Sequence, residues 1–134
     1  MAGQHPKSME WDARLKAMFD VLDADLEDRF SGRWSLRTNR PTRGETSNPE
    51  ADGLFNVGAF FTPGYGSKHG RGYLVEIVVA TEENVGDDER REVESYASET
   101  LRRLLPKHFP ERRLELDRDG NMYKIRGDLS LGSL

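Results

Sequence analysis

The stretch Leu114-Glu-Leu-Asp-Arg-Asp-Gly-Asn-Met-Tyr-Lys-Ile125 reads as a β-hairpin. Asp119-Gly120 is a preferred pair for a two-residue type I′ turn, whose backbone twist matches that of the strands it joins. A turn placed there sets Leu116 opposite Tyr123 and Leu114 opposite Ile125 on one face, with Glu115 opposite Lys124 on the other. Turn chemistry and apolar alternation therefore agree on two strands with one buried face, and something amphipathic has to cover that face.

The preceding segment supplies the cover. Val93, Tyr96, Ala97, Thr100, Leu101, Leu104 and Leu105 recur at helical spacing. Asp87 or Asp88 can cap the start, acids come early and bases late, and Pro106 is expected to end the helix near Leu105. Further back, Leu54–Phe61 alternates Phe55, Val57, Ala59 and Phe61 on one face, and Tyr73–Ala80 alternates Tyr73, Val75, Ile77 and Val79. Before these, Ser8 can cap a helix from Met9 to Phe30. Trp11, Leu15, Met18, Phe19, Leu22, Leu26 and Phe30 form its apolar stripe, and Asp12, Lys16, Asp20, Asp23 and Glu27 form a face for water.

The order is α-β-β-α-β-β. It predicts one α+β domain over residues 1–134, a two-layer sandwich with a four-stranded, mainly antiparallel sheet and both helices on one face. Residues 1–8 are expected to be a flexible tail, 31–53 a long Arg-rich loop and 62–72 a Gly-rich hairpin loop. About 20 residues without periodicity is long for a compact domain, which marks 31–53 as functional or disordered.

Composition removes several classes of chemistry. The 134 residues include no cysteine, so thiol catalysis, iron–sulfur clusters and disulfides are excluded. The start has no apolar stretch of the kind an export signal needs, and no run is long enough for a membrane span, so the expected location is cytoplasmic. A net charge of −4 argues against a generally basic nucleic-acid binder. Positive charge gathers in Ser31–Tyr73, where six bases face three acids.

Arg37, Arg40 and Arg43 in the long loop, with Lys68, His69 and Arg71 in the Gly-rich loop, are the candidate anion patch. Arginine's planar fork suits phosphate, and Tyr65 and Tyr73 offer stacking surfaces for a nucleotide or single-stranded nucleic acid. The competing reading has Trp34 anchoring the long loop to the core while its arginines pair with the acidic helix faces. The glycines match neither a dinucleotide fingerprint nor a Walker loop. His5, His69 and His108 lack metal-ligand spacing, Ser47 and Ser67 lack a nucleophile context, and Asp52 and Glu76 carry no catalytic pattern. No metal, cofactor or catalytic residue is assigned.

Leu54, Phe60, Leu74 and Val78 fall on the outer sheet face and form a candidate apolar interface. In size, acidity and helix–hairpin order the chain resembles small acidic secretion chaperones, a likeness of architecture that carries no motif and implies a homodimer. The reading favoured is a non-enzymatic interaction module that pairs with itself or with a protein partner. The alternatives are a binder of phosphate, nucleotide or single-stranded nucleic acid, and, more weakly, an enzyme acting on a phosphorylated small molecule.

Overall fold

The computed structural model describes residues 6–64, 70–119 and 122–127. Two helices, α1 (Pro6–Phe30) and α2 (Asp87–His108), pack against one four-stranded antiparallel sheet. Its strands are β1 (Phe55–Thr62), β2 (Gly72–Val79), β3 (Leu114–Asp119) and β4 (Met122–Gly127), in the spatial order β1-β2-β4-β3. The predicted α-β-β-α-β-β order is present. Each hairpin contributes an inner strand to the middle of the sheet, and β1 and β3 are its edges.

One core joins the layers. Trp11, Leu15, Met18, Leu22, Leu26 and Phe30 from α1 and Val93, Ala97, Leu101, Leu104 and Leu105 from α2 pack on Phe55, Val57, Val75, Leu116 and Ile125 of the sheet. The helical stripes and the strand alternation thus name the same interior.

Four local expectations are corrected. First, α1 begins at Pro6, so Ser8 lies within the helix and residues 6–8 are not a tail. Proline suits a first helical turn, where its missing N–H would have had no partner. Second, α2 continues through Pro106 to His108, held by Leu105 and Phe109 in the core and by Arg14, whose Nε donates to His108 O at 3.0 Å. Third, Gly86 rather than an aspartate precedes α2, and Glu89 reaches back to accept the Gly86 N–H at 3.2 Å.

Fourth, the β3–β4 register differs by two residues. Leu116 faces Ile125, Glu115 faces Arg126 and Asp117 faces Lys124, with Asp119 facing Met122. The expected turn at Asp119-Gly120 therefore gives way to strand pairing at Asp119, and residues 120–121 lie outside the described residues. An even shift leaves every side chain on its expected face. It also improves the charge pairing: Arg126 meets Glu115 at 2.9 Å and also contacts Asp117, and Lys124 Nζ meets Asp119 at 2.6 Å.

Candidate functional site

The Arg-rich loop is ordered by its own chemistry. Trp34 is buried beside Phe30, with ring centroids 6.3 Å apart. Arg33 meets Glu92 at 3.0 Å and Arg43 meets Asp28 at 2.7 Å. Glu83 accepts from the Ser35 N–H and hydroxyl at 2.5 and 2.6 Å, and Glu82 accepts the Thr38 N–H at 3.0 Å. These hydrogen bonds hold both carboxylates below their ordinary range. A single 3₁₀ turn, Pro49–Ala51, interrupts the loop.

Arg40 fastens the loop to the sheet. Its Nε donates to Gly53 O at 2.9 Å, and its Nη2 reaches Glu50 O at 2.9 Å and Asp52 O and Phe55 O at 3.1 Å. Its Nε and Nη2 N–H groups, three of the five donors, are thereby committed to the chain's own carbonyls. Facing it from α1, Glu27 accepts the backbone N–H groups of Leu54 and Phe55, the latter at 3.0 Å. Glu27 fits closely enough that a Cβ on Gly53, whose φ is +71°, would fall 2.5 Å from its carboxylate.

Asp23 and Glu27 were expected in water and are instead 4% and 6% exposed. The loop folds back over that face of α1 and closes it. Asp52, also buried, accepts from Thr46 N–H and Oγ1 at 3.0 and 2.8 Å. Burial pushes Asp52 up, but those bonds, one from Gly44 and the nearby Arg40 outweigh it and hold it below the usual carboxylate range. Among the described residues Asp23 has no comparable donors, and its buried Oδ2 has no hydrogen-bond partner. Burial, with Glu27, Asp52 and Asp20 nearby, raises it to about 7 against the opposing effect of Arg40.

Among the described residues, the exposed arginines of the two cationic loops lie at opposite ends of β2. Arg37 sits where the loop meets the end of β2, its N–H bonded to Ala80 O at 2.8 Å, whereas Arg71 immediately precedes Gly72 at the other end of that strand. Eight extended residues separate them, roughly 25 Å at 3.3 Å per residue. Arg37 and Arg71 are exposed, Arg40 is turned inward and Arg43 is paired with α1. Tyr65, Lys68 and His69 lie outside the described residues. Tyr73 faces the helices, 6.0 Å from Trp11 between ring centroids, and is half-buried.

The outer sheet face keeps part of the expected apolar surface. Phe60 is 48% exposed and faces Leu74, while Val78 faces Asn56; Leu74 and Val78 are half-buried. Leu54 is not part of that surface. It precedes β1 and is buried in the core because Glu27 holds its N–H against α1. Phe61, which strand alternation groups with Phe55, Val57 and Ala59, is 52% exposed at the end of edge strand β1, its ring against Tyr73. No sequence signal marks β1 as an edge, so this exposure was not foreseeable.

Among the described residues, no grouping of histidine or carboxylate side chains could hold a metal ion, and no helix is long and apolar enough to cross a membrane. A cleft of about 250 Å³ lies between α1 and β1. It is lined by Leu15, Phe19, Val57, Ala59 and Tyr73, with Asp12, Lys16 and Glu50 at its polar rim.

A family model described only as "Uncharacterised protein" matches residues 6–127. The chain belongs to that family. An uncharacterized protein of Borreliella burgdorferi (strain ATCC 35210 / DSM 4680 / CIP 102532 / B31) is similar to it, 42% identical over 108 residues that cover 79% of this chain and 84% of that protein. No solved structure matches the chain. Neither description names a role, so the likeness to secretion chaperones gains no support from them.

Proposed function

We propose that the chain is a non-enzymatic interaction module that self-associates through the β1 side of its sheet. The observation that carries this reading is the pair Phe60 and Phe61, adjacent on an edge strand, on opposite faces of the sheet and each about half exposed. Large aromatic side chains left in water beside one another mark contact surfaces more often than catalytic ones. The arginines considered for a phosphate clamp support the same conclusion indirectly, since Arg40 and Arg43 serve the chain's own carbonyls and carboxylates.

Sedimentation velocity over a wide range of protein concentration tests this. The expected result is a weight-average mass that rises from monomer toward dimer with concentration. A mass that stays monomeric throughout overturns self-association and returns the surface to a partner of another kind.

A further inference from the structure

The backbone of β1 bears on how two copies would meet. Phe55 gives its N–H to Glu27 and its C=O to Arg40, so its backbone groups point away from β2. Leu54 O, by contrast, accepts the Ala80 N–H on the β2 side. Backbone polarity alternates along a strand, so the groups of Val57, Ala59 and Phe61 also point to the open side. Glu50 stands across the strand near Gly58, with Oε1 3.6 Å from where a Cβ on that glycine would sit. The loop thus occupies the start of the edge, and the stretch from Gly58 to Thr62, paired with β2 on one side, has no strand on its open side among the described residues.

We infer that this half-strand pairs antiparallel with the same half-strand of a second copy, with Phe60 on the two-fold axis. Resting on the self-association proposed above, this specifies the surface, the register and the symmetry. Ala59 of each copy faces Phe61 of the other and the two exchange both backbone hydrogen bonds. Gly58 faces Thr62, and Phe60 faces Phe60 on the outer face. The sheets then join into one of eight strands, with both helical layers on the same side.

The fit favours a second copy over an unrelated extended segment. Phe61 of one copy sits over Ala59 of the other, a large side chain beside a small one at the mouth of the cleft between α1 and β1. That cleft measures about 250 Å³, and a cavity of about 150 Å³ is enough for a benzene ring. Projecting ring and receiving cleft lie two residues apart on one strand. A two-fold axis therefore satisfies both at once, as an isologous interface requires, whereas a foreign strand would need to bring a matching ring of its own.

Charge agrees with this arrangement. Phe55-Asn-Val-Gly-Ala-Phe-Phe-Thr62 has no charged residue, so self-pairing brings no like charges into register. The cleft rim carries Lys16 beside Asp12 and Glu50, so each copy meets both signs. Area sets the strength. Phenylalanine buries about 150–250 Å² when covered, so four half-exposed rings contribute roughly 400 Å². Even with the strand edges added, that falls short of the roughly 1,200 Å² of a standard interface. The dimer is weak and reversible.

The absence of native cysteine makes crosslinking a direct test. In a non-hydrogen-bonded antiparallel pair the Cα atoms lie about 4.5 Å apart, within the span of a disulfide. The full-length Phe60→Cys variant is held with oxidised glutathione at a concentration where the wild type sediments as dimer, beside Ala59→Cys, Val78→Cys and Glu115→Cys. The expected result is a reducible covalent dimer of Phe60→Cys alone, lost when Phe61→Asp is added. Linking through Ala59→Cys would mean another register, through Val78→Cys another face and through Glu115→Cys the β3 edge. Each of these overturns the inference and leaves self-association intact. A wild type that sediments only as monomer overturns both, and one that stays monomeric while binding an extended peptide at β1 assigns the edge to a foreign strand.

Discussion

The sheet has two edges, and the chain treats them differently. β3, Leu114-Glu-Leu-Asp-Arg-Asp119, places Glu115, Asp117 and Asp119 on the outer face and Arg118 on the inner, four charges in six residues. β1 has no charge in eight. Charged side chains are the common device by which an edge avoids pairing with other chains, since each added strand would have to bury or oppose them. β1 relies on tertiary structure instead. Glu27 and Arg40 take the backbone groups at its start and the 3₁₀ turn packs beside it, while its last residues have no such cover among those described. An edge guarded by its own side chains cannot be uncovered, whereas one guarded by a loop can.

The largest loss of stability is expected from Arg40→Ala. Four backbone carbonyls lose a charged donor, and Asp52 and Asp23 lose the nearest positive charge. Hydrogen bonds to charged groups contribute about 1.5–3 kcal/mol each in favourable cases but are not additive within one side chain. A loss of about 3 kcal/mol in urea unfolding is expected, with faster amide exchange across 31–53 than in β3 and β4. A loss below about 0.5 kcal/mol would mean that Arg40 does not guard the start of β1.

Asp23→Asn should act in the opposite direction and depend on pH. In the folded chain Asp23 titrates near 7, above its ordinary 3.8. Below the lower value both states hold the proton. Between the two values only the folded state holds it, so stability falls as pH rises, and above 7 the burial penalty is constant. Asparagine removes that penalty. The variant is expected to be more stable than wild type by up to about 4 kcal/mol near pH 8 and equal to it near pH 4, as read from chemical unfolding at both. Asp52 titrates in the opposite sense, its hydrogen-bonded carboxylate adding stability that is lost on acidification, so Asp52→Asn should be costly at high pH. Equal gains for Asp23→Asn at both pH values would show that its charge is not what the site opposes.

How much of this could be read in advance follows from the range of each interaction. Helix stripes such as Trp11 to Phe30 and strand alternation such as Phe55 to Phe61 are local, and they gave the element order and nearly the whole core. The β3–β4 face was legible because alternation survives an even slip, but the register was not, because Lys124 to Asp119 and Arg126 to Glu115 are cross-strand charge pairs that turn propensity ignores. The burial of Asp23 and Glu27 was hidden for a related reason. Both sit on a face that looks solvated along the helix, and only the return of a loop 25 residues later encloses them. That Trp34 anchors the loop while its arginines pair with α1 and α2 was a reading available from composition, yet nothing in the spacing favoured it over an anion patch. The edge position of β1 depends on strand order, which no local pattern encodes, and the exposure of Phe61 was hidden for that reason.

The smallest change in folding energy tests the comparison of edges most directly. Phe60 is half exposed, so Phe60→Lys removes little buried area, and stability should stay within about 0.5 kcal/mol of wild type. The substitution gives β1 the device that β3 already has. On the proposed two-fold axis, two ammonium groups would stand opposite each other, and like charges directly across a pair oppose pairing. Sedimentation is then expected to show monomer at every concentration where wild type forms dimer. Removing a guard from β3 is the complementary change. Glu115→Val loses one exposed ion pair to Arg126, which is worth little, and should leave folding nearly unchanged. It should not create a β3 dimer, because Asp117, Arg118 and Asp119 remain along that edge. If Glu115→Val self-associates more strongly while Phe60→Lys still forms the wild-type dimer, edge charge does not distinguish the two strands, and the role assigned to β1 falls with it.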